Sequence, residues 1–309
     1  MQLFHRLLLL VCVMGLLVFG GQVQAEEALP KSAADENAAA AEPLTWLEDY
    51  RAATKQANEN QQLVLIWFYD PAKAAENEKF AASVLDAGKL RQSLGPMTLA
   101  KLPIDAAIKT DGKETKLIEH AAFAELLKGS GLAMIDFRDA KQKQQYGHVV
   151  SIYPFRRGAI NVSRLQVLCD LPAGTLTQRT LVFAVRTHPA APKSAWSPAS
   201  DYLAQKAQEH SHHQASINLQ GHHNWESRFH TINAGLAAKV AGSSFSSKEV
   251  CAESWPGQTL LDAAEECVHS WSQSSGHWSA VSAGHSFFGY DMKRGSNGVW
   301  YATGIFGGR

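Results

Sequence analysis

Leu63-Val64-Leu65-Ile66-Trp67-Phe68-Tyr69 is a continuous apolar run that stops at Asp70-Pro71. A run without alternation suits a central strand buried on both faces, and proline ends it by removing a ladder donor. Outward from this run the pattern alternates. An amphipathic helix is expected from Leu44 through Leu47, Tyr50 and Arg51 to about Asn58, and a second from Glu78 to Leu94 with Phe80, Val84, Leu85 and Leu90 inward. Met97 to Ile104 reads as strand and Ala121 to Lys128 as helix. Leu132 to Phe137 and Gly147 to Tyr153 read as a hairpin across the polar turn Arg138 to Gln145. Further helices are expected around Ser163 to Asp170 and Leu176 to Thr187. Pro189, Pro192 and Pro198 then interrupt the chain and mark a boundary near residue 192.

The 309 residues are 45% hydrophobic, enough for about two domains at roughly 150 residues each. Basic and acidic side chains number 29 each, so the formal charge is zero and there is no electrostatic footprint for nucleic acid. At the start, His5-Arg6, the apolar stretch Leu7 to Phe19 and the small residues of Val23-Gln24-Ala25 read as a signal peptide over residues 1–25. That apolar stretch is shorter than the ~20 residues that span a bilayer, so cleavage is expected, and no later segment is apolar enough for an integral span. The mature protein is expected to be secreted, or held in the periplasm or cell envelope. Residues 26–43 are rich in Ala, Glu and Asp without aromatic residues and read as a flexible linker.

Cys12 leaves with the signal, and Cys169, Cys251 and Cys267 remain. Cys251 and Cys267 are the natural pair in an oxidising compartment. Cys169 lies beside Leu165-Gln166-Val167-Leu168 and reads as a buried small hydrophobe.

Chemistry concentrates in the last third. Nine of thirteen histidines fall between His210 and His285, interleaved with Glu249, Glu253, Glu265 and Glu266. Imidazole and carboxylate are the ligands that a borderline divalent metal prefers. A helix is expected from Ser200 to Gln220, on which His210 and His213, three apart, share a face. Helices from Glu226 to Ala238 and from Thr259 to Trp271 follow, and two aromatic strands, Ser286 to Met292 and Gly298 to Phe306, pair antiparallel across Arg294-Gly295-Ser296-Asn297. Trp225, Trp255, Trp278 and Trp300 serve either as walls of a ligand groove or as core.

Two resemblances follow from these residues. The helix and strand order of residues 44–192, with its buried strand breaking at Asp70-Pro71, resembles the thioredoxin-like fold over about a hundred residues. Pro71-Ala72-Lys73-Ala74-Ala75-Glu76 stands where that family carries its redox cysteines, and Ser130-Gly131-Leu132-Ala133 lacks its proline, so disulfide exchange is not expected there. Residues 193–309 resemble the cysteine-rich secretory, antigen 5 and pathogenesis-related (CAP, SCP-like) superfamily. The residues that carry this are Glu249-Val250 before Trp255-Pro256-Gly257, the helix closing on Trp271, Ser274-Ser275-Gly276-His277-Trp278 and the terminal strand pair.

The fold class is therefore expected to be α/β in two domains, a thioredoxin-like domain and then an α-β-α sandwich. The second resemblance implies a cleft with two histidines and two acids that sometimes holds a divalent cation such as zinc. Those roles map onto His222 or His223, Glu249, Glu266 and His277. The family's Gly-Glu-Asn triplet is Lys248-Glu249-Val250 here, and the doubled His222-His223 and Glu265-Glu266 leave each assignment open by one residue. The expected function is non-catalytic binding of a cation or an extracellular or envelope ligand. The alternative is a metal-dependent hydrolase acting on envelope peptides or lipids. A redox partner role rests on Cys251 and Cys267 alone.

Overall fold

Order along the chain explains the architecture, as a computed structural model shows. It describes residues 44–110, 112–240 and 244–308, so the expected signal peptide and linker lie outside the described residues. β1 (Trp46–Leu47) leads to α1 (Tyr50–Asn60), which starts later than the apolar spacing suggested because Asp49 caps it, accepting from Ala52 N at 2.6 Å. β2 (Leu63–Tyr69) is the run that opened the reading. Its alternate residues enter separate cores: Leu63, Leu65 and Trp67 join one cluster while Val64, Ile66 and Phe68 join the other.

The helix expected over Glu78 to Leu94 is instead two, α2 (Ala74–Phe80) and α3 (Gly88–Leu94), separated by a π-turn at residues 81–85. The break brings Phe80, Val84, Leu85, Leu90 and Leu94 into one core, which a straight helix spreads around its circumference. β3 (Thr98–Pro103) is followed by a small hairpin that the sequence did not announce, β4 (Ala107–Thr110) and β5 (Lys113–Lys116). Ala121–Leu126 is a 3-10 helix. β6 (Gly131–Asp136) and β7 (Val149–Pro154) form the expected antiparallel pair. The sheet order is β1-β3-β2-β6-β7, with β3 parallel to β1 and β2, and β6 antiparallel to β2 and β7.

α4 (Val162–Cys169) and α5 (Leu176–Arg186) come next, and α5 starts at a capping box between Thr175 and Gln178. The proline segment after α5 runs along the second sheet rather than through solvent: Ser194 Oγ meets Tyr290 Oη at 2.7 Å, and Ser200 N donates to Phe288 O at 2.9 Å. α6 (Asp201–Ile217), α7 (Trp225–Lys239), β8 (Ser246–Glu253), α8 (Leu260–Ser272), α9 (Ser275–Ser282), β9 (Phe287–Arg294) and β10 (Trp300–Gly308) complete the chain.

The second sheet has order β8-β10-β9 and is antiparallel throughout. β8, a stretch for which the sequence suggested no strand, is its third member. Alternation sorts the sheet's two faces. Val250, Ala252, Tyr290, Met292, Ala302 and Phe306 pack with Ala263, Cys267 and Trp271 of α8, in a core continuous with that of the first sheet. Glu249, Cys251, Asp291, Thr303 and Ile305 occupy the opposite face, where α6 lies. Residues 44–308 group as one unit, mixed α/β with one mixed and one antiparallel main sheet. No helix among the described residues is long and apolar enough to cross a membrane.

Candidate functional site

The buried polar row on the α6 face builds the site. Gln214 of α6 donates to Thr303 Oγ1 at 2.9 Å, and its carbonyl oxygen accepts the Gly221 N–H at 3.1 Å. His210, one turn earlier, holds the Gly221 carbonyl through Nε2 at 2.8 Å. The loop after α6 is thus gripped at both polar groups of one residue, which sets where the next side chain goes.

That side chain is His222. Its Nδ1 lies 3.0 Å from Glu249 Oε1 and its Nε2 lies 3.3 Å from Nε2 of His277 in the first turn of α9. A carboxylate only accepts, so His222 Nδ1 carries a proton toward Glu249, and in the neutral ring Nε2 is then the lone pair that faces His277. Glu249 is 0% exposed at its side chain, and its second oxygen accepts from Arg228 of α7. Burial alone raises its pKa, but hydrogen bonds from His222 and Arg228 and the Arg228 charge outweigh this and hold the group below its ordinary value. A buried carboxylate this well partnered is a fixed negative charge.

The histidines respond differently. Burial pushes His210 down to about 4 despite the nearby Glu249, so it is neutral with its proton on Nε2. His277 is also lowered, by burial and then by His222, and presents a neutral imidazole. Cys251, next along the same face of β8, lies 3.8 Å from His222 Nδ1. Burial, then the Glu249 charge, raise its thiol well above the ordinary value, which keeps it a thiol.

Donor atoms of His210, Glu249 and Cys251 lie within 4.8 Å of one another, close enough to hold a metal ion of unspecified identity. Each is otherwise engaged, however: His210 Nε2 by the Gly221 carbonyl, both Glu249 oxygens by His222 and Arg228, and Cys251 by its proton.

Of the residues singled out from sequence, His222, Glu249 and His277 meet. His223 turns the other way, toward a cleft of about 240 Å³ that it shares with His210, His213 and Arg228. Glu266 does not join them: it lies on α8, which covers the opposite face of the sheet from Glu249, and among the described residues no hydrogen bond or ion pair links the two. Its neighbour Glu265 binds Arg157 and Arg164. The expected Cys251–Cys267 bridge is absent. Cys169, Cys251 and Cys267 are all buried free thiols, and Cys251 faces α6 while Cys267 packs on the other side of β8. Strand alternation separates them.

Sequence reasoning missed Arg228. It is the sole arginine between Arg186 and Arg294, and a buried Glu249 requires a cationic partner, which was the available signal. Of the four tryptophans, Trp300 is buried and Trp255 is exposed at 67%, so they do not line one groove. No known family model matches the chain, and no curated protein matches it.

Proposed function

We propose that the protein is an exported, non-catalytic binding protein whose C-terminal site takes a divalent cation such as zinc between His222 and His277 and offers it to an extracellular or envelope ligand. One separation carries this reading. Two nitrogens on a tetrahedral zinc, each about 2.0–2.1 Å from the metal, stand roughly 3.4 Å apart. The two Nε2 atoms are 3.3 Å apart.

The donor chemistry fits as well. Glu249 accepts the Nδ1–H of His222, as a carboxylate behind a metal-bound imidazole does, so its role is to orient the ligand rather than to bind the ion. Two protein nitrogens leave coordination positions for a ligand from solution, since His222 is 40% exposed at its side chain. The strand order β1-β3-β2-β6-β7 supports a thioredoxin-like scaffold. α6 and α8 on opposite faces of β8-β10-β9 support a CAP-like sandwich. Residues 71–76 carry no sulfur, which supports a scaffold without redox activity.

Zinc titration of the full chain, made without a histidine tag, tests the site. Wild type is expected to bind through a component that His277→Ala lacks and that Glu249→Ala weakens by about 10–100-fold. Identical titrations for wild type and His277→Ala would remove the site. Zinc-dependent turnover of an envelope peptide or lipid would replace the binding reading with the hydrolytic one.

A further inference from the structure

The histidines that this function leaves unused form a group of their own. His210 and His213 lie three apart on α6, and His223 enters from the loop before α7. Their ring centroids are 6.1 Å apart for His210 and His213, 6.0 Å for His210 and His223, and 5.4 Å for His213 and His223. All three line the same cleft of about 240 Å³.

We propose that His210, His213 and His223 form a second cation site, selective for zinc or copper(II) over calcium or magnesium. Three observations support it. His210 donates its Nε2–H to the Gly221 carbonyl, which leaves Nδ1 as a lone pair in the neutral ring. His223 Nδ1 is buried with no hydrogen-bond partner among the described residues, and an unmatched buried polar atom is destabilising unless something answers it. His213 is the exposed member, and it lies against both of the others.

Three imidazoles around one ion, with metal–nitrogen bonds of about 2.0–2.1 Å, place ring centroids roughly 5 Å apart. The observed rings need to approach by about an ångström or less. Neutral nitrogen ligands favour zinc and copper, whereas calcium and magnesium require oxygen. Lys206, Asn224 and Arg228 line the rest of the cleft.

The test separates this site from the one between His222 and His277. Full-length protein without a histidine tag is titrated with zinc as wild type, His277→Ala, His213→Ala/His223→Ala and the triple variant, with circular dichroism to verify folding. Two equivalents, one, one and none are expected. Zinc uptake abolished by His277→Ala alone, or unchanged in His213→Ala/His223→Ala, overturns the second site. An unchanged His277→Ala titration whose binding disappears in the triple variant removes the first site and keeps the second. Because the His213→Ala/His223→Ala pair also alters packing, copper(II) bound to His277→Ala provides an independent reading by electron paramagnetic resonance. Superhyperfine coupling to three nitrogens supports the site, and fewer than three sinks it.

Discussion

Glu249 shows how one side chain organises its surroundings. It sits in the sheet's interior as a carboxylate because His222 and Arg228 both donate to it. Removing one partner of such a buried group costs more than the interaction itself supplies, since the remaining charge is stranded. Arg228→Met is therefore expected to lower unfolding free energy by about 3–5 kcal/mol in urea titrations, and the Arg228→Met/Glu249→Gln pair by distinctly less. Equal losses in the single and double variants would show that Arg228 contributes by packing alone. The lowered pKa of Glu249 adds stability that is complete above its ordinary value of 4.5 and is lost as pH falls through the folded value. From the sequence, Glu249 was legible as an important acid. Its role was not, because a string shows which ligand types are present but not which oxygen faces which nitrogen.

At the scale of elements, α6 governs the site, and it lies unusually close to the sheet. A Cβ on Gly289 would stand 2.1 Å from the backbone N of Ala204 and from the backbone C of Leu203. No side chain separates helix from strand at that point, which lets His210, Ser211 and Gln214 reach the polar row of β8-β10-β9. Gly289→Ala is expected to push α6 outward and to cost about 3 kcal/mol or more, read as a lower urea midpoint. Gly276→Ala, where nothing lies within 4 Å, serves as the control and is expected to stabilise α9 by about 0.5–1 kcal/mol. Loss of stability in both would point to backbone conformation rather than close approach. Helix periodicity located α6 to within a few residues because its caps and apolar face are local. β8 escaped because its inward residues on the α6 face include Glu249 and Cys251, so its alternation carries polar groups where a strand pattern expects apolar ones.

Across the whole molecule, Asp291 links three elements from distant parts of the chain. Its carboxyl is fully buried on β9, meeting Thr177 Oγ1 of α5 at 2.8 Å and Ser211 Oγ of α6 at 2.5 Å. Burial raises its pKa to about 6 against the lowering effect of those hydrogen bonds. The sign follows from proton uptake: the folded state holds the proton more tightly, so this group's stabilisation is full below 3.8 and is lost as pH rises to 6. At about 1.36 kcal/mol per unit the loss is up to about 3 kcal/mol. Asp291→Asn is expected to remove that slope, seen as the difference between wild-type and variant unfolding free energies from pH 4 to 7. The same slope in both proteins would mean that Asp291 titrates normally.

The sequence by itself determined the elements whose signals are local: the doubly buried β2, the hairpin of β6 and β7, the aromatic pair of β9 and β10, and the concentration of histidines near the C-terminus. Periodicity, caps and turn residues act over a few positions, so a linear reading captures them. Only the tertiary structure decided that Cys251 and Cys267 point away from each other, that Glu266 stands apart from the other candidates, and that His222 and His223 divide between two clusters. Those outcomes depend on which face of β8 each partner approaches, and that is fixed by long-range packing of α6, α8 and α9 around one strand.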